Sequence, residues 1–161
     1  MNDAHLHLVV NHFPIIGTIF GLGILLAGML LKNKTAVNIA YILFVISAIF
    51  GFASMYTGEG AEEMVEDLPS VGHQIIHEHE EIAEKLAIIL YTLALISLVG
   101  LYLNFKQNTK AKLLSYLALV VAVIAVLIGK EVGTTGGEVR HTEIRTDGSS
   151  SAEMAPNKEK E

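Results

Sequence analysis

Seven histidines, His5, His7, His12, His73, His77, His79 and His141, are the residues of this 161-residue chain best equipped for chemistry. Imidazole nitrogens bind zinc, copper, nickel and iron, and two neutral imidazoles from different helices can hold a haem iron axially. His73 and His77 lie four residues apart, so on a helix they project from one face, with Glu80, Glu81 and Glu84 continuing near that stripe. A histidine pair one turn apart plus a carboxylate is a sound ligand set for a transition metal. His79 is turned from His77 by about 200° and does not share its position. For a haem b, His12 with a histidine of the helix that leads into the third span, such as His77, is the candidate pair. Arg140 would then meet a propionate, and Gly17, Gly21, Gly28 and Gly51 would let the macrocycle approach the backbone. His12, His73 and His77 are the favoured ligands, with His5, His7, His79 and His141 in reserve. The plain alternative is that all seven are interfacial polar residues. Cysteine is absent, which excludes thiolate metal sites, thiol nucleophiles and disulfides.

The elements that must position these residues follow from where the apolar residues sit. They make up 52% of the chain, against 17% charged, and they fall in four charge-poor stretches of about 20 residues, the length that crosses a hydrocarbon core about 30 Å thick. The spans predicted are about 13–31, 37–56, 86–105 and 113–132. Pro14 suits the first turn of a helix, with Phe13 before it extended, although a helix beginning near His5 and kinked at Pro14 also fits. Thr57-Gly58 and Thr135-Gly136-Gly137 are expected to be turns that end helices. Residues from Gly58 to Ser70 read as a loop with a short acidic turn, and a helix is expected from about His73 into the third span. The fold class is all-α: an integral membrane four-helix up-and-down bundle of two hairpins over residues 1–141. The tail, 142–161, is too poor in large apolar residues to order itself.

Lys32, Lys34, Lys106, Lys110 and Lys112 occupy the two short intra-hairpin loops, and all 17 acidic residues lie on the other side. The positive-inside rule puts the lysine loops in the cytoplasm and both termini, with all seven histidines, outside a bacterial inner membrane. By helical rise, His7 and His79 would stand at matching heights, roughly 9–11 Å above the hydrocarbon edge. A weak internal repeat pairs His5-Leu6-His7 and Gly51-x5-Thr57-Gly58 with His77-Glu78-His79 and Gly129-x5-Thr135-Gly136.

No Asp, Glu, Arg or His lies at mid-span, which disfavours a pump or ion-coupled transporter and rules out a two-haem wire across the membrane made by this chain alone. The leading function is a redox or metal-handling membrane component with haem b or a transition metal at its outer face. A cofactor-free assembly subunit packing through glycine faces is the alternative, and a histidine-cluster oxidase comes third. The expected partners are the lipid bilayer, a periplasmic cytochrome or respiratory complex and further copies of the chain in a homo-oligomer; no nucleic acid is expected.

The run His7-x3-Asn11-His12-Phe13-Pro14-Ile15 resembles a family of uncharacterised bacterial four-helix membrane proteins. The resemblance continues in Thr57-Gly58, in the segment His73 to His79 and in Gly136-Gly137-Glu138-Val139-Arg140-His141, covering roughly residues 5–141. Some members of such families are joined to cytochrome c-type domains, which implies a respiratory or redox setting. This chain has no haem-attachment cysteine pair, so the resemblance implies haem bound non-covalently or a separate cytochrome.

Overall fold

A computed structural model describes residues 2–65, 71 and 73–145, with the backbone alone for Arg140 and Thr142. The chain forms α1 (Asp3–Val10), α2 (His12–Leu30), α3 (Lys34–Glu62), α4 (His73–Phe105) and α5 (Ala111–Arg140), then a short 3-10 turn at Thr142–Ile144. With α1 and α2 counted as one broken helix, four helices are long and apolar enough to cross a membrane. The protein is an all-α, multi-pass membrane bundle.

The first helix follows the second of the two readings at Pro14. It starts at Asp3, capped by the Asn2 carboxamide, which accepts the His5 N–H at 3.0 Å. Pro14 has no N–H for the Val10 carbonyl and its ring crowds that oxygen, so the helix breaks after Val10. Asn11 keeps helical angles, and α2 resumes at His12, leaving Phe13 helical rather than extended.

Two other boundaries also move outward. Helix α3 runs through Thr57-Gly58 to Glu62, and α5 runs through Thr135-Gly136-Gly137 to Arg140, so neither Thr-Gly pair ends a helix. Thr57 and Thr135 give their hydroxyls to carbonyls three and four residues back, which lets them sit inside a helix. The helices therefore overshoot the hydrocarbon core at the histidine end, and the polar surplus of each rises above it. In α5 the apolar run stops at Gly129, and Lys130 and Glu131 pair on the surface at 3.6 Å. The expected loop around Pro69-Ser70 and the tail from residue 146 lie outside the described residues.

The two lysine loops are built alike. Lys32 and Gln107 each take φ 51°, the left-handed conformation that ends a helix. Asn33 N–H then bonds Gly28 O (2.8 Å) and Lys32 N–H bonds Met29 O (3.3 Å); Asn108 bonds Leu103 (2.9 Å) and Gln107 bonds Asn104 (3.1 Å) in the same pattern. Each loop also ends in an asparagine whose side chain accepts a backbone N–H of the following segment, Ala36 for Asn33 and Lys110 for Asn108.

The helices close a ring in the order α2, α3, α4, α5, with α1 laid on α3. The core runs from Leu25, Val37, Tyr41, Phe44 and Leu93 near the lysine loops to Ala48, Leu86, Leu90 and Ala125 nearer the histidines. Residues such as Phe20, Ile49, Phe52, Ile88, Leu95 and Leu127 face outward, where lipid is their solvent. Near the lysine loops, polar bonds tie the hairpins together. Tyr41 donates to Ser115 at 3.0 Å, Ser115 having given its own hydrogen to the Ala111 carbonyl, and Asn104 donates to Asn38 at 2.7 Å. Helix α2 can approach this core because Gly21 lacks a Cβ, which would lie 2.5 Å from the Phe44 ring. Gly21→Ala is accordingly expected to destabilise the bundle by about 1–3 kcal/mol. Gly23→Ala, with nothing within 4 Å, leaves thermal unfolding in detergent unchanged or slightly higher.

Candidate functional site at the histidine end

The four crossings bring all seven histidines to one end of the bundle, but they do not bring all of them together. His73 and His77 share a face of α4, as their spacing predicts, and that face points to solvent. Both are exposed, and the His77 imidazole lies 4.0 Å from Glu81 on the same helix. The buried stripe of α4 explains this. It runs through Ile76, Leu86, Leu90, Leu93, Ser97 and Gly100 in steps of three and four, and the same steps carried back from Leu86 pass through position 79 and miss position 77. His5 and His12 are exposed. His141 bonds Glu143 at 2.9 Å, and this bond adds to that from Glu143's own backbone N–H in holding the Glu143 carboxyl below its ordinary range. The Arg140 side chain lies outside what the structure describes. Arg145 instead caps α5, its guanidinium bonding the Glu138 carbonyl at 2.8 Å and the Val139 carbonyl at 3.2 Å.

His7 and His79, two of the four reserve candidates, are the ones that turn inward. His7 Nδ1 donates to the Ser54 carbonyl at 3.1 Å and lies 3.2 Å from the Thr57 hydroxyl oxygen. His79 Nδ1 lies 3.0 Å from the Thr135 hydroxyl oxygen. Each threonine hydroxyl is committed as a donor to its own helix, Thr57 to Ala53 O (2.9 Å) and Thr135 to Glu131 O (3.1 Å). Toward the imidazole it can therefore only accept. The Ser54 carbonyl thus fixes His7 as the Nδ1–H tautomer, and the back-bonded Thr135 hydroxyl favours the same tautomer in His79, which puts the lone pair on Nε2.

A glycine lies against each ring. The Cβ absent from Gly58 would be 3.7 Å from His7 Cε1, and that absent from Gly136 would be 3.0 Å from His79 Cε1. The spacing noted in the sequence as a weak repeat is thus a repeated contact: one histidine, one back-bonded threonine and the glycine after it. Sequence reasoning named those threonines as helix ends and missed them as partners of the histidines. The matched Gly-x5-Thr-Gly spacing was the signal that could have found them.

The two imidazoles stand above the apolar stretches and are near enough to sense each other. Burial lowers the His79 pKa below its ordinary value, and the charge of His7 lowers it further. Burial lowers His7 too, against the pull of its bond to Ser54, and the charge of His12 adds to the lowering. Beside them the Glu80 carboxyl is raised above its ordinary range, first by burial and then by a hydrogen bond with the Glu62 carboxyl. One turn further out Asp3, Tyr56, Glu59, Gly60 and Glu63 line an open acidic concavity of about 270 Å³ between α1 and α3. The Asn11 carboxamide oxygen, at the break between α1 and α2, is buried without a hydrogen-bond partner among the described residues. Among the described residues, no three or more His, Asp or Glu side chains form a group that could hold one metal ion.

No family model matches the chain, and neither a curated protein nor a solved structure matches it.

Two histidines held neutral make stability depend on pH in a stated direction. The unfolded chain takes up protons at these positions near pH 6.5 and the folded one at lower pH. Their contribution is complete above that value and is lost as pH falls through and below it. The melting temperature of the cofactor-free protein is expected to drop on going from about pH 7.5 to about pH 5.5, and His79→Gln to reduce that drop. An equal drop in the variant would show that the acid sensitivity lies elsewhere.

Proposed function

We propose that this protein carries a haem b or a transition metal at the histidine end of its bundle, and that it serves electron transfer or metal handling at the outer face of a bacterial inner membrane. The observation that carries this reading is the pair His7 and His79: imidazoles from opposite hairpins, near enough to sense each other, each with Nδ1 engaged and Nε2 without a hydrogen bond among the described residues. A hydrogen-bonded Nδ1–H behind an open Nε2 is the arrangement that orients a ligating imidazole and raises its basicity. The outward orientation is supported by the five lysines of the two opposite loops.

Electron transfer is the more specific form of the proposal. A haem b held by His7 and His79 would supply one-electron chemistry toward a separate carrier of the cytochrome c class. The spans hold no ionisable group at their centres, so the chemistry stays on one side of the membrane. The assembly-subunit alternative drew on glycine faces. Gly21, Gly28 and Gly100 meet Phe44, Val37 and Tyr41 of the same chain, which leaves those faces already used.

The test is the protein purified in mild detergent, with visible spectra before and after dithionite and metal analysis on the same sample. A Soret band with sharpened α and β bands on reduction is expected. Stoichiometric copper, zinc or iron without these bands would shift the function to metal handling. A protein that stays colourless and metal-free after incubation with haemin and with each metal contradicts the proposal.

A further inference from the structure

The ligand class at this end can be narrowed, on the reading that a cofactor binds there at all. We infer that His7 and His79 are the two axial ligands of a single haem b, each bonding the iron through Nε2, and that Thr57 and Thr135 are the residues that position them.

The donor count carries the choice of haem over a bare ion. Zinc and copper(II) take three or four protein donors, and copper(I) favours sulfur. Here two imidazoles turn inward, while His5, His12, His73, His77 and His141 are exposed, and among the described residues no third His, Asp or Glu completes a group that could hold a bare ion. A porphyrin supplies four of the six iron donors itself and asks the protein for two.

The two hairpins supply those two from equivalent positions, with His7 of α1 set against Thr57 and Gly58 of α3, and His79 of α4 set against Thr135 and Gly136 of α5. Neutral ligands suit the site, because an imidazole that must bind iron cannot hold a proton on Nε2, and the threonine contacts put the proton on Nδ1. Removing a threonine hydroxyl leaves the histidine in place but frees its ring to turn and to change tautomer.

The experiment loads the full-length detergent-solubilised protein with haemin and compares six chains by optical spectra, haem stoichiometry and reduction potential: wild type, His7→Ala, His79→Ala, His79→Met, the double variant His73→Ala with His77→Ala, and Thr57→Val with Thr135→Val. The wild type and the His73/His77 variant are expected to bind one haem per chain with the same six-coordinate low-spin spectrum. His7→Ala and His79→Ala are expected to give five-coordinate high-spin haem or to lose it, and added imidazole to restore the low-spin spectrum. His79→Met, which keeps an axial donor, is expected to hold haem with a shifted potential, and it guards against reading a misfolded alanine variant as a lost ligand. The threonine variant is expected to keep its haem at a changed potential.

A low-spin spectrum that survives both His7→Ala and His79→Ala but not the His73/His77 change overturns the ligand assignment while leaving the cofactor proposal standing. A bare metal ion held by His7 and His79, with no haem uptake, overturns the haem class. A chain that takes up neither haem nor metal overturns both.

Discussion

Hydrocarbon offers a backbone no partner but itself, and from that constraint the rest of this structure follows. Each crossing must be a helix, and side chains that want water are driven to the two ends. The helices here are longer than a 30 Å core requires, so their polar surplus projects at one end as continued helix rather than loop. Helical continuity matters for the chemistry. It holds Thr57, Gly58, Thr135 and Gly136 at fixed positions against His7 and His79, where a flexible turn would not.

The two hairpins solve the same problem twice. Each has a lysine loop closed by a left-handed residue and an asparagine, and each has a histidine entering against a threonine-glycine pair at the far end. In the second hairpin α5 builds its inner face from small residues, Ala111, Ser115, Ala118, Ala122, Ala125 and Gly129, spaced by three and four, which lets it pack closely against the leucines of α4. The first uses larger side chains, Tyr41 and Phe44, and meets them with glycines. Equivalent ends and unlike interiors give the matched histidine contacts without a matched core.

Most of the fold could be read in the sequence because hydrophobic length and lysine placement act over whole segments. Boundaries were less legible. Thr-Gly reads locally as a stop, and only packing and the back-bonded hydroxyl show why the helix continues through it. At the site, spacing correctly put His73 and His77 on one face of α4 but could not say which way that face pointed. The stripe from Ile76 to Gly100 does say, and it selects His79. His7 was harder still, because α1 has no buried residue of its own to mark an inner face, and only its contact with α3 turns that histidine inward.

The most direct test is electron paramagnetic resonance of the oxidised, haemin-loaded protein at low temperature. A low-spin ferric signal of the bis-imidazole type, at one spin per chain, is the result expected if two Nε2 atoms from opposite hairpins share one iron. A high-spin signal alone, or no protein-bound ferric haem, would contradict the pairing of His7 with His79.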